Sequence, residues 1–445
     1  MEKNMTVGSP MRIILNFTIP VFIGNVFQQF YSMVDTIIVG QFVGTSALAA
    51  VGSTGTIMFL IIGFLLGLTT GMTVLTAQRF GVGDMNAMRQ TVSSACMLSI
   101  IISIFMTIIS MFGMKSLLHL MNTPADIFDD AYTYIMIICA GIFAQVLYML
   151  LSSILRALGN SKTPLYFLIL SALLNIVLDL LLIVVFHLGV AGAAYATIIS
   201  QGVSGLLCIV YIIKKVPLLH LKKDDWKLRG SIVRNQLSIG LPMAFQYSIT
   251  AIGTTMVQSA LNGLGSTLVA AFTAASKIEQ VLSQAYVSLG VAISTFAAQN
   301  MGAGKKARIR KGFAATTKLG VIYSVFAMIL IMLCGKYMTL LFVTDNVTQI
   351  MGSVDIYLKC AGIFFIPLAL VNIYRNGIQG MGYGFLPMLA GVTELIGRAV
   401  VALIAAAYGS YLGICLASPA AWVLACVFLL VIYFMIVKEY PKEEL

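Results

Sequence analysis

The sequence predicts an all-α integral membrane protein: twelve transmembrane helices in two six-helix bundles, related by a parallel repeat about an axis along the membrane normal. Three observations lead there. Hydrophobic residues make up 60% of the 445 and charged residues only 10%, with a mean hydropathy of +0.98. Runs such as Leu98–Phe112, Ile135–Leu151, Leu165–Phe186 and Val321–Leu333 are apolar on every face, which suits helices surrounded by hydrocarbon. A transmembrane β-barrel would show short alternating segments instead, and the sequence has none. The third observation is internal repetition. GTSALAAVG at Gly44–Gly52 returns as GSTLVAAFT at Gly265–Thr273, and AQRFGVG at Ala77–Gly83 returns as AQNMGAG at Ala298–Gly304. Both steps are 221 residues (265 − 44 and 298 − 77), close to half the chain. GNSKTP at Gly159–Pro164 and GYGFLP at Gly382–Pro387 make a looser third pair. A step of this size means two homologous halves.

Each span needs about 20 apolar residues. The runs that qualify are 14–42, 53–78, 91–113, 132–155, 164–187 and 190–213 in the first half. Those in the second half are 236–262, 270–299, 313–334, 353–379, 386–408 and 411–436. The first run, with Pro20 and Asp35 inside it, is too long and too polar for a cleaved leader. The one sizeable polar stretch, Lys214–Arg234, separates the halves. The expected organisation is therefore an N-terminal bundle over 1–213, a linker over 214–234 and a C-terminal bundle over 235–445. An even number of spans per half starts both halves on the same face, which is what makes the repeat parallel.

The net charge of +11 does not point to nucleic acid, because the basic residues sit between apolar runs, where topology and lipid head groups account for them. Lys3, Arg12, Arg79, Arg89, Arg156 and Lys162, the linker residues from Lys214 to Arg234, then Lys305, Lys306, Arg308, Arg310, Lys311, Arg375, Lys438 and Lys442 (which lies outside the described residues) all fall on one side. This bias predicts a multi-pass protein of the cell inner membrane with both termini and the linker in the cytoplasm. The seven cysteines lie within apolar runs without metal-ligand or redox spacing, and read as small hydrophobes. No nucleotide-binding loop, hydrolase elbow or metal-ligand motif is present, so the sequence reads as a non-enzyme with no cofactor. Two bundles meeting at an axis suit alternating access, driven by an ion gradient.

Ionisable residues deep in a span are expensive and mark function by default. Asp35 in the first span and Asp179 in the fifth are the strongest candidates. Asn175 precedes Asp179 by four residues, on the same helix face about 6 Å along the axis. Thr197 in the sixth span reaches a similar depth, counted at about 1.5 Å per residue from the cytoplasmic ends. Two carboxylates with amide and hydroxyl oxygens at one level can hold a shared proton or a small cation such as Na⁺. The alternative is that each Asp merely bonds a neighbouring helix.

The second half does not repeat this set, since Asp35 aligns with Met256. It has its own: Lys277 and Glu279 in the eighth span, and Glu394 and Arg398 in the eleventh. Glu394 and Arg398, at i, i+4, read as an intrahelical ion pair. Lys277 and Glu279 face differently, leaving Glu279 as a candidate contact for a cationic substrate. The 25 methionines with many Phe and Tyr suit an adaptable apolar pocket, and equally ordinary lipid-facing packing.

The segment from Pro20 through Asp35 to Gly52 (PVFIGNVFQQFYSMVDTIIVGQFVGTSALAAVG) resembles the first span of the multidrug and toxic compound extrusion (MATE) family. GVGDMNAMRQ after the second span and RALGNSKTP after the fourth resemble its cytoplasmic turns, and the duplicated plan matches over essentially the whole chain. The resemblance implies export of amphipathic, often cationic drugs in exchange for H⁺ or Na⁺, by a monomer embedded in the bilayer. It also implies that the family's cation or proton site falls on Asp35, Asn175, Asp179 and Thr197, with Gln28 and Tyr31 nearby as substrate contacts. The C-terminal carboxylates that another branch of the family uses have no clear match. A flippase of lipid-linked saccharides from the same superfamily is the alternative reading; it would be expected to line its cleft with cations, whereas the N-terminal half offers acids.

Overall fold

The computed structural model describes residues 3–121, 123–338 and 347–441. Among them the chain is mainly helical, with no strand. The first half runs α1 (Pro10–Phe42), α2 (Thr45–Ser53), α3 (Gly55–Val82), α4 (Met85–Leu120), α5 (Phe128–Ala140), α6 (Ile142–Ala157), α7 (Lys162–Asp179) and α8 (Gly189–Lys215). The second runs α9 (Gly230–Asn262), α10 (Ser266–Gly302), α11 (Lys306–Met338), α12 (Val347–Ile363), α13 (Phe365–Gly380), α14 (Phe385–Ala407) and α15 (Tyr411–Val437).

Among the described residues nine helices are long and apolar enough to cross a membrane, and the bent pairs α5–α6 and α12–α13 raise this to eleven. The 33-residue α9, less apolar because Gln236, Gln246, Gln258 and several threonines lie in it, completes the twelve-helix fold. Large side chains on the outside confirm the solvent: Phe112 is 85% exposed, Met435 71% and Leu333 69%. In water such a surface would be untenable; in hydrocarbon it is the expected one.

The repeat is written into the backbone as well as the sequence. Apart from Gly8, the positive-φ glycines come in pairs: Gly44 (φ 118°) with Gly265 (99°), Gly83 (85°) with Gly304 (71°), Gly159 (78°) with Gly382 (101°), and Gly189 (57°) with Gly409 (62°). The repeated turns are thus helix terminators at matching places. After Gly83, Asp84 starts α4 by accepting the Ala87 N–H at 2.9 Å, an N-cap that accounts for the GVGD signature. At Gly159 the need for glycine is double, because an added Cβ would also collide with the Lys3 carbonyl. Both broken spans bend by 50°, at Gly141 (φ −91°, ψ 8°) and Phe364 (φ −101°, ψ 16°). The bend therefore belongs to the fold and not to glycine, while Gly141 is required by the Ile198 side chain packed against it.

The chain forms two compact units. One is Met1–Asn4 with Ile23–Ala244, the other Met5–Phe22 with Phe245–Leu445. This partition is not the linear one of the repeat: it divides α1 and α9, each two residues after its internal proline, Pro20 and Pro242. In the first unit, α3 lays Gly67 and Gly71 against the start of α9, at the Met243 backbone and Gly240 Cα; small residues let membrane helices approach this closely. Gln236 on α9 is fully buried there. It donates to the Thr91 carbonyl at 2.8 Å and the Met72 carbonyl at 3.4 Å, and accepts from the Ser94 hydroxyl at 2.8 Å. The linker is folded onto this unit by an Arg89–Asp225 ion pair at 3.3 Å and by buried Val216 and Leu219. In the second unit, Met5 is clasped: its N–H donates to Gln299 Oε1 at 2.8 Å, and its carbonyl accepts from Asn300 and Arg308.

Candidate ion and substrate site

In the first unit α1, α7 and α8 bring five of the expected residues together, Tyr31, Asp35, Asn175, Asp179 and Thr197. Asp179 is the last residue of α7, and the helix then widens into a π-helical turn, Leu180–Val185. Such turns recur at functional sites because they re-aim the flanking side chains. Asn175 and Asp179 are fully buried. The Asn175 amide satisfies its surroundings in one orientation: Nδ2 donates to Asp179 Oδ2 at 2.7 Å, and Oδ1 accepts from the Tyr31 hydroxyl at 3.2 Å and the Thr197 N–H at 3.1 Å. Asp35, one helical turn beyond Tyr31 on α1, meets the Asp179 carboxyl within hydrogen-bonding reach.

Two carboxylates are acceptors only, so a contact between them requires a proton or a cation. Asp35 Oδ1 and Asp179 Oδ1 are both buried, and neither has a partner among the described residues. The arrangement is thus a carboxyl pair with free acceptor capacity, anchored on one side by Asn175. Tyr134 on α5, buried beside the pair and within electrostatic reach of both acids, was not anticipated from the sequence. A tyrosine in an apolar run carries no signal of its own. Gln28 lies two turns before Asp35 on α1, exposed, and takes no part in the hydrogen bonds of the cluster. Among the described residues no three or more His, Cys, Asp or Glu side chains could hold a metal ion.

The second unit carries a different set. Glu394 accepts from Arg398 Nη2 at 2.7 Å and from Arg375 Nη2 at 2.6 Å, all three residues being at most 9% exposed. The expected intrahelical pair is therefore one arm of a triad. Arg375 was expected in a cytoplasmic loop; it is instead buried within α13, where the Glu394 carboxylate compensates its charge. The signal was present, since Arg375 falls inside the tenth apolar run. Glu279 on α10 is half-buried and accepts from the Ser283 hydroxyl at 2.8 Å and the Tyr357 hydroxyl at 3.2 Å, while Lys277 is exposed.

The MatE family model matches the chain twice, over residues 20–181 and 242–404. The chain belongs to the MATE family. It shares 31% identity over 377 residues with the probable multidrug resistance protein YpnP of Bacillus subtilis (strain 168), covering 84% of this chain and 83% of that one. The FAD transporter of Shewanella oneidensis is 26% identical over 429 residues, covering 94% and 93%. A solved structure described as the outward-facing conformation of a multidrug resistance MATE family transporter superposes with a TM-score of 0.92 at 24% identity, over 99% of this chain and 98% of that one. That likeness establishes the MATE fold. MATE proteins are multi-pass membrane transporters and not enzymes, and each family-model match here spans one of the two repeats.

Proposed function

We propose that the protein is a secondary active multidrug exporter of the cell membrane, carrying lipophilic, often cationic compounds out in exchange for an inward proton or Na⁺ by alternating access. The observation that carries the reading is the Asp35–Asp179 contact, an acid pair with Asp179 fully buried and Asp35 half-buried, which a proton or small cation must bridge. Asp35 and Asp179 are the ion carriers, and Asn175, Thr197 and Tyr31 are the neutral partners that orient them. A carboxylate in low dielectric attracts a positive charge far more strongly than in water. Drug and ion then compete for the same negative charge, and filling the pair with the ion releases the drug. The names of the curated relatives support export of drugs. Most of the basic residues lie on one side of the spans, which supports a cytoplasmic linker and termini. The flippase reading finds no support in the first unit, whose charged groups at this depth are acids. The test is uptake of ethidium into inverted vesicles with a pH gradient and a Na⁺ gradient imposed separately. Uptake driven by one of them supports the proposal; uptake indifferent to both contradicts it.

A further inference from the structure

We propose that Arg375 and Arg398 form a subsite in the second unit for an oxyanion, the carboxylate or phosphate group of a ligand. Three observations carry it. Two guanidinium groups share one carboxylate, so among the described residues one positive charge of the triad has no direct partner. Arg375 is 9% exposed, Arg398 5% and Glu394 4%, in surroundings where an uncompensated charge is costly. Arg375 Nε, Arg398 Nε and Arg398 Nη1 are buried donors with no acceptor among the described residues. Buried guanidinium N–H groups are ordinarily satisfied, and forked N–H donors are matched in geometry by carboxylate and phosphate oxygens.

Glu279 is the obvious competitor, near enough for Arg398 to act on it electrostatically. Its two oxygens are already engaged by Ser283 and Tyr357, and no hydrogen bond joins it to Arg398. It therefore acts on Arg398 only through space, and the three donors remain without an acceptor among the described residues. Gly253 on α9 gives Arg398 its place: a Cβ there would approach Arg398 Cδ and Nη1 at 3.3 Å. The two units thus differ in chemistry, acids in one and an over-charged Arg–Glu–Arg triad in the other. Ligands carrying an anionic group on an apolar frame are the class that the second unit would accept.

Equilibrium binding tests this whether or not transport is ion-coupled, so its outcome is separable from the export reading. The probes are fluorescein, an anionic dye, and ethidium, a cationic one, followed by fluorescence anisotropy on the purified full-length protein. Saturable fluorescein binding is expected, weakened about tenfold or more by Arg398→Gln, the effect of losing one charge-assisted contact. Glu279→Gln, which removes the competing negative charge, should tighten it. Ethidium binding should be unchanged in Arg398→Gln. Because Arg375 and Glu394 still pair in that variant, the fold has a reason to survive; if it does not, Glu279→Gln alone decides through the sign of its effect. Absence of saturable fluorescein binding, equal affinity in Arg398→Gln, equal weakening of both dyes, or weaker fluorescein binding in Glu279→Gln would each overturn the proposal.

Discussion

Asp35 on α1 and Asp179 on α7, separated by more than 140 positions in the sequence, come within hydrogen-bonding reach of each other, and the Asn175 amide bonds Asp179. Among the described residues neither acid has an ionic partner, and each keeps one buried oxygen unbonded. An acid pair of this kind holds a proton or cation in one state and presents negative charge to a competitor in the other.

Asp35→Asn and Asp179→Asn should each abolish gradient-driven ethidium export, because Asn keeps the shape and removes only the ionisable charge. Expression and thermal stability should stay at wild-type level. Export from inverted vesicles at the wild-type rate in both variants would remove the pair from the mechanism.

Asn175→Leu should impair transport without touching either carboxylate. The Asn175 amide is the link from Asp179 to Tyr31 and Thr197, so its loss leaves buried polar groups unpaired and costs about 1–3 kcal/mol. A fall in export and in melting temperature together is expected; unchanged transport would show that orientation of Asp179 is not needed.

Glu394→Gln should destabilise the second unit by about 3–5 kcal/mol, since it leaves two buried guanidinium groups without their shared carboxylate. A thermal melt of the purified variant reads this directly. A melting temperature equal to wild type would mean that the two charges are compensated elsewhere.

The exposed linker residue Lys223 provides the topology test. In a cysteine-free background, a cysteine at this position should resist an impermeant thiol reagent added outside intact cells and react once the membrane is opened. Labelling from outside would reverse the orientation inferred from the basic residues.

What the sequence made legible follows from how conspicuous each residue is against hydrocarbon. Asp35 and Asp179 stand out because a carboxylate in an apolar run has few structural excuses, and the i, i+4 step brought Asn175 with it. Glu394 and Arg398 announced their pairing by the same spacing. Arg375 was missed because a basic residue near a span end looks like a loop residue, although it falls inside the tenth apolar run; its ion pair with Glu394 on α14 shows where it belongs. Tyr134 was invisible for the opposite reason, being an ordinary residue in an ordinary run. The halves were readable from repeated turns, since glycine is required where φ is positive. The compact units were not, because their division inside α1 and α9 depends on which neighbours each half-helix packs against; only Pro20 and Pro242 hinted at it.

The central claim, that drug and ion compete for the Asp35–Asp179 pair, is tested most directly by counting ions displaced when ethidium binds to the purified protein. Proton release in lightly buffered solution and displacement of radioactive Na⁺ would be measured side by side, for wild type and for Asp35→Asn with Asp179→Asn. The account predicts that ethidium expels one of the two ions from wild type and neither from the double variant. Ethidium binding to wild type without any ion displaced, or equal displacement from the double variant, would contradict it.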